Sequence, residues 1–401
     1  MLLNRFAIYG REILILSAIF LVNSLAIDLI TPIWPIFITD SLGASMTELG
    51  LVFSISNAVA AVIQIPSGLL SDKYGRRRLH ALGTLLAVFP PLMYSSARNL
   101  NDLVPWVMLS GFATGLYIPI RWAIVADASS SKTMASAYSW TNISWLLGST
   151  AGPFIGGVIA DIYGIRIPFI ACFALRFTVF PLVLLLRETK RKTQAKTDES
   201  AVAASVSGSY ATAMMLFALI NIFQGFGLGV AGPVIPVFVV STFSVDFAFV
   251  GILYSIGFGV ASIVVQLPGG RCSDRFDRRL VMFVSFLASA PFFVLFAYAR
   301  SPVELILFMF VSNAVLNLSW SAFQTLMMDA TPSSKWGFIN GISATTFWGG
   351  QIAGNAVSGI LWDNVGMLVP FYASTLAIGL SALMPLLLKE TRAKESHVST
   401  S

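Results

Sequence analysis

Three charged residues, Asp28, Arg121 and Arg176, sit well inside apolar stretches of this 401-residue chain. A charge in such a setting is costly unless it is paired or hydrated, so each is a functional candidate by default. A carboxylate there can bind a proton or a cationic solute in alternation. A guanidinium can contact an anion or set the field of a cavity. Helix rise places Asp28 about 24 Å above Glu12, Arg176 about 16 Å above Arg187, and Arg121 about 9 Å above Asp127. Asp28 and Arg121 are too far apart in height for a direct ion pair. Asp28 and Arg176 are closer, so a structural pair and a free, titratable Asp28 both stay open.

The same stretches carry amides and large aromatics: Asn23, Tyr117, Trp145, Asn221, Gln224, Tyr254, Asn313, Asn317, Trp320, Gln324 and Trp348. Amides are costly against lipid and should face a polar interior. Any single aromatic can equally serve packing or a membrane-interface belt. Amides mixed with indoles suit an amphipathic or aromatic solute better than a simple sugar. No nucleophile–base pair or phosphate-cradling loop is visible, so no enzyme activity and no cofactor are expected. Cys172 and Cys272 imply no disulfide framework, and His80 and His397 make no metal site.

The elements that position these residues follow from composition. The chain is 56% hydrophobic and 11% charged, with mean hydropathy +0.80, where soluble domains carry about 25% charged residues. Its solvent is lipid. Apolar stretches of about 20 residues can cross a bilayer as helices. Twelve occur, near 12–39, 46–70, 79–97, 103–127, 134–160, 166–187, 210–240, 248–270, 279–299, 303–330, 336–361 and 367–388. The first has the length of a span and is read as one, not as a cleaved signal. With both termini on one side, 20 of the 25 Lys and Arg fall on that side. The positive-inside rule makes that side cytoplasmic.

Residues 188–209 have the composition of a flexible linker. They divide the chain into 1–187 and 210–401. Sliding the chain by 202 residues superposes Gln64 on Gln266, Pro66 on Pro268, Asp72 on Asp274 and Arg76 on Arg278. In the same register Asp127 meets Asp329, Gly148 meets Gly350 and Asp161 meets Asp363. Two related halves, with a solute site exposed alternately between them, are a transporter architecture.

The loop after the second span reads Gly68-Leu-Leu-Ser-Asp72-Lys-Tyr-Gly75-Arg76-Arg77. It closely resembles the G-x-x-x-D-x-x-G-R-[RK] signature of the major facilitator superfamily. The second half repeats it from Gly270 through Asp274 to Arg278 and Arg279, with Asp277 replacing the inner glycine. The resemblance covers essentially the whole chain. It implies an all-α membrane protein of twelve transmembrane helices in two pseudo-symmetric six-helix bundles. It also implies a cytoplasmic latch: Asp72 facing the start of the eleventh span near 335–337, and Asp274 facing the start of the fifth near 132–135. Arg76, Arg77, Asp127, Arg278 and Asp329 surround it. In the bland alternative these charges only anchor loops. Gly68 would allow close helix approach, and Gly75 a tight turn.

The fifth span contains Gly148, Gly152, Pro153, Gly156 and Gly157. This looks like the G-x-x-x-G-P-x-x-G-G element of the drug/proton antiporter branch; plain small-residue packing is the alternative. Val107 stands where many proton-coupled exporters carry an arginine four residues before the glycine matching Gly111, so no role passes from that arginine to Arg121. The matched Pro32/Pro35 and Pro233/Pro236 elements should kink two spans near the outer side.

The expectation is a secondary active transporter, most like the multidrug-efflux antiporters, moving a small amphipathic organic solute by alternating access with proton-coupled export. A metabolite or organic-anion carrier using Arg121, by symport or uniport, is the alternative; a non-transporting membrane sensor is a further one. The expected partners are the solute, protons and membrane lipids, with no nucleic acid. A monomer in a prokaryotic plasma membrane, with both termini cytoplasmic, is expected.

Overall fold

Helix starts and stops in this chain are written in its polar residues. Ser45 and Glu48 form a reciprocal capping box at one start. Asn99, Asp246 and Ser301 each accept a backbone N–H three residues on. Gly75 and Gly164 end helices at φ +101° and +93°, where a side chain would be strained.

A computed structural model describes residues 10–129, 133–188, 208–331 and 336–388. They form twelve helical rods. The first six are α1 (Arg11–Asp28, resuming at Trp34–Ile36 and a π turn, Phe37–Ser41), α2 (Met46–Tyr74), α3 (Arg76–Ser96), α4 (Leu100–Ala128), α5 (Met134–Tyr163) and α6 (Ile167–Leu184). The second six are α7 (Gly208–Phe243), α8 (Phe247–Tyr254, π turn Ser255–Val260, Ala261–Arg275), α9 (Arg278–Ser289 and Pro291–Ala297), α10 (Pro302–Asp329), α11 (Trp336–Asn364) and α12 (Val369–Leu383, ending in the 3₁₀ turn Met384–Leu387). Most of the linker expected over 188–209 lies outside the described residues.

Nine of the described helices are long and apolar enough to cross a membrane. α1, α3 and α11 fall short because of what they carry. α1 holds Arg11, Glu12 and Asp28. α3 opens on three arginines. α11 is rich in glycine and amides.

The first span was expected as continuous helix. Instead α1 breaks after Asp28, and turns fill 29–33 before Trp34. Irregular backbone at membrane depth is tolerated where it lines a cavity, and Asp28, Thr31 and Pro35 do so. α7, with the matching prolines Pro233 and Pro236, runs through them unbroken. The matched proline elements therefore do not give matched breaks.

The core divides along the molecule. One buried cluster at the end away from the basic loops joins both sets of helices, with Phe37, Leu49 and Phe169 meeting Phe238, Val250 and Phe371. Toward the basic end the core splits. One cluster (Leu16, Ile124, Val183) belongs to the first six helices and another (Phe217, Met282, Leu326) to the second six. The two sets of helices meet at the far end and part toward the basic loops.

Candidate functional site

Between the two sets of helices lies a cavity of about 820 Å³. Nine of the residues singled out from the sequence line it: Asp28, Trp145, Asn221, Gln224, Tyr254, Asn313, Asn317, Trp320 and Trp348. Asp28 is the one charged residue among its described lining. The Thr31 hydroxyl, 3.2 Å from Asp28 Oδ1, donates to it, and Ser149 adds a second side-chain hydrogen bond. No ion pair joins Asp28 to Arg176 among the described residues, and the side-chain hydrogen bonds to its carboxylate come from the Thr31 and Ser149 hydroxyls.

The amides divide by how much they are already engaged. Gln224 donates to Ser381 at 2.7 Å and Asn221 to Ser343 at 2.8 Å, both within the second set of helices. Asn57, missed from sequence, reaches toward Gln351 across the cavity at 3.5 Å. The Nδ2 of Asn355 has no protein partner. Trp320 remains 57% exposed, presenting its indole to the open space.

Five candidates do not line this cavity. Gln324 lies further along α10 toward the basic end. Asn23, Tyr117, Arg121 and Arg176 converge instead on a second, much smaller space inside the first six helices, with His80 and Thr84. Arg121 and Asp28 line different spaces, and depth along the helix could not tell which side of α4 the arginine takes. Its guanidinium lies over the rings of Phe20, at 4.7 Å, and Trp122, at 5.5 Å, inside the bundle.

The far end is sealed by backbone and glycine. Added side-chain atoms at Gly148, Gly152 and Gly156 would collide with α1 at Leu21, Leu25 and Leu29. One at Gly157 would strike Phe247 of α8, and one at Gly251 the carbonyl of Pro153. α11 repeats the arrangement: Gly350 and Gly354 meet α7, and Gly359 meets Met46 of α2. The glycine element of α5 is thus visible as packing, with one face inside its own bundle and one across the seam.

Two carboxylates close the seam. Asp161, near the end of α5, accepts the backbone N–H groups of Phe247 at 2.9 Å and Ala248 at 2.7 Å, at the start of α8. Asp363, near the end of α11, accepts the backbone N–H of Thr47 at 2.8 Å and its hydroxyl at 2.7 Å, at the start of α2. A carboxylate on a helix N-terminus satisfies orphan N–H groups and meets the positive end of the dipole. The repeat register had matched these two aspartates without giving them a task.

At the basic end, the expected close approach at Gly68 is absent. An added Cβ at Gly68 or Gly270 would meet nothing within 4 Å, because the bundles are parted there. Gly75 does make the tight turn, under the Glu188 carboxylate, which accepts the Arg77 N–H at 3.1 Å. Arg76 ties Asp127 at 2.7 Å and Asp72 at 3.4 Å within its own half. Arg278 pairs with Asp329 likewise. Asp277, in place of the inner glycine, caps α9 by accepting the Arg279 N–H at 2.8 Å. The side chain of Asp274, and the segments 130–132 and 332–335, lie outside the described residues.

Comparisons with known proteins agree with this geometry. The sequence profile of the Major Facilitator Superfamily matches residues 16–217 and again 217–401. The multi-drug resistance efflux pump PmrA of Streptococcus pneumoniae is 24% identical over 381 residues, 93% of this chain and 94% of that one. Multidrug resistance protein 2 of Bacillus subtilis is 25% identical over 384 residues, again 93% and 94%. The quinolone resistance protein NorA of Staphylococcus aureus is 24% identical over 408 residues, 96% of this chain and 98% of its own. Among solved structures, the fold is shared with a mutant form of the nucleoside transporter NupG, at TM-score 0.80 and 14% identity over 94% of this chain and 99% of that one. It is shared with a D-xylose-proton symporter at TM-score 0.79 and 14% identity, over 95% and 99%. A duplicated helical chain with a central cavity, matched twice by one family profile, is a multi-pass membrane protein of the major facilitator superfamily.

Proposed function

We propose that this protein is a secondary active transporter that exports small amphipathic cations in exchange for protons. The observation that carries the reading is Asp28. It is a lone carboxylate in a cavity whose other described lining is amides, hydroxyls and aromatic and aliphatic side chains. Rings offer apolar area and cation–π attraction, and a single negative charge selects positive solutes. A proton and a cation competing for one carboxylate is the least machinery that exchange requires. Relatives named as a multi-drug resistance efflux pump and a multidrug resistance protein, similar along nearly their whole length, support the same reading.

Alternating access takes its shape from the seam. The basic end, with the positively charged loops, is the cytoplasmic side by the positive-inside rule. The described state is then open inward and closed outward. Residues 1–187 and 210–401 would move as two bundles about the cavity, with 188–209 as their tether. Opening outward breaks the Asp161 and Asp363 caps, while the Asp72 and Asp274 loops close the cytoplasmic side. The organic-anion alternative has less support, because Arg121 lies outside the cavity.

The test uses the purified protein in proteoliposomes. A proton gradient should drive movement of a lipophilic cationic dye, and Asp28→Asn should reduce the rate at least ~10-fold, an effect of about 1.4 kcal/mol or more, with the fold retained by circular dichroism. Native protein that is folded, moves no cationic dye and moves organic anions would overturn the assignment.

A further inference from the structure

The small space inside the first six helices holds two arginines and no carboxylate. Arg121 and Arg176 both line it, with His80, Tyr117, Asn23 and Thr84. Arg176 is 6% exposed and His80 1%. Arg176 donates from Nη1 to the Ala87 carbonyl at 2.6 Å. That bond satisfies one donor, and no carboxylate lines the space beside it. The Nε atoms of Arg121 and Arg176, and both ring nitrogens of His80, are buried without a protein partner. The rings of Phe20 and Trp122 hold the Arg121 guanidinium in place, but they do not cancel two positive charges at membrane depth. No ion pair to either arginine occurs among the described residues.

The donors outnumber the acceptors around this space. Two guanidinium groups, an imidazole N–H, a phenol, an amide and a hydroxyl can all donate. Water could satisfy the hydrogen bonds but would leave the charge unbalanced. The space itself, about 10 Å³, admits the centre of one water-sized body. It is too small for a carboxylate or phosphate solute.

We propose that this space binds a single halide ion, chloride under ordinary conditions, between Arg121, Arg176 and His80. The ion neutralises the paired arginines and ties α3, α4 and α6 together in place of a buried carboxylate. The site is separate from the solute cavity and does not depend on the reading of Asp28.

The experiment compares the purified protein in sodium chloride, bromide and gluconate at fixed ionic strength. Chloride and bromide should raise the unfolding midpoint, by about 3–6 °C at concentrations far above the dissociation constant and with a logarithmic dependence on concentration, through preferential binding to the folded state. Gluconate, too large for the space, should not. Arg121→Gln and Arg176→Gln should each remove the halide-dependent increment. Crystals of the native protein grown in bromide should show an anomalous peak between the two arginines. This arm decides the matter if either variant fails to fold. A halide increment that survives both substitutions, or native crystals with no bromide peak in this space, would overturn the proposal.

Discussion

Asp28 shows how much a single side chain can decide when its surroundings are neutral. Around it the described cavity offers no second charge, so in the proposed exchange selectivity among cations would fall to the aromatics. Trp320 and Trp348 line the cavity from α10 and α11. Replacing either with alanine should raise the half-saturating concentration of an aromatic cation about 3- to 10-fold, as a lost cation–π contact of about 1 kcal/mol predicts. A small aliphatic cation should be affected less; competition transport assays with the two solute types check this. The sequence made nine of these lining residues legible because polar groups inside apolar spans are costly and so must face something polar. It left Asn57 and Ser149 unremarked, since short or amide side chains on a helix give no sign of which neighbour they meet. It misdirected Arg121 for the related reason that depth along a helix says nothing of the face.

At the scale of elements, the seam between α2 and α11 and between α5 and α8 governs the closed end. Asp161 and Asp363 each give two charge-assisted bonds to a helix start in the other half, and such bonds contribute about 1.5–3 kcal/mol each before solvent screening. Asp161→Asn and Asp363→Asn should therefore shift the population toward the outward-open form, the double variant more than either single one. Spin labels at Tyr163 and Thr242, in a background without Cys172 and Cys272, should report longer distances across the outer end. Gly359→Val should act in the same direction, because any added side chain there strikes the Met46 backbone. Unchanged distance distributions in all of these variants would remove the seam from the gating account. Helix positions were legible in the sequence from apolar runs. The break in α1 was not: Pro32 and Pro35 resemble Pro233 and Pro236 in spacing, yet only the first pair accompanies a break. The difference lies in what surrounds each pair, with a carboxylate and Thr31 at the α1 turn and an apolar run along α7.

For the whole molecule, the repeat found by sliding the sequence against itself is the strongest statement the chain makes about its own architecture. It announced two related halves and a cavity between them, and the family profile matches the chain twice in the same order. It could not announce the state, because one sequence specifies both open forms. The direction of the molecule in the membrane is open to direct measurement. A cysteine at Thr242, at the sealed end, should react with an impermeant maleimide on intact cells. One at Lys73, at the basic end, should react only after permeabilisation. The reverse pattern would invert the proposed orientation and make the described state outward-open.

Where backbone meets backbone, as at Gly157 against Phe247 and Gly359 against Met46, there are few rotamers to freeze when the surfaces come together. Burying a long side chain costs up to about 2 kcal/mol in lost rotamer freedom, and glycine adds none of that side-chain cost. These glycine contacts therefore add little side-chain entropy loss to each closure. The two forms can lie close in free energy over a wide span of temperature, and a modest ion gradient is then sufficient to turn the molecule from one to the other.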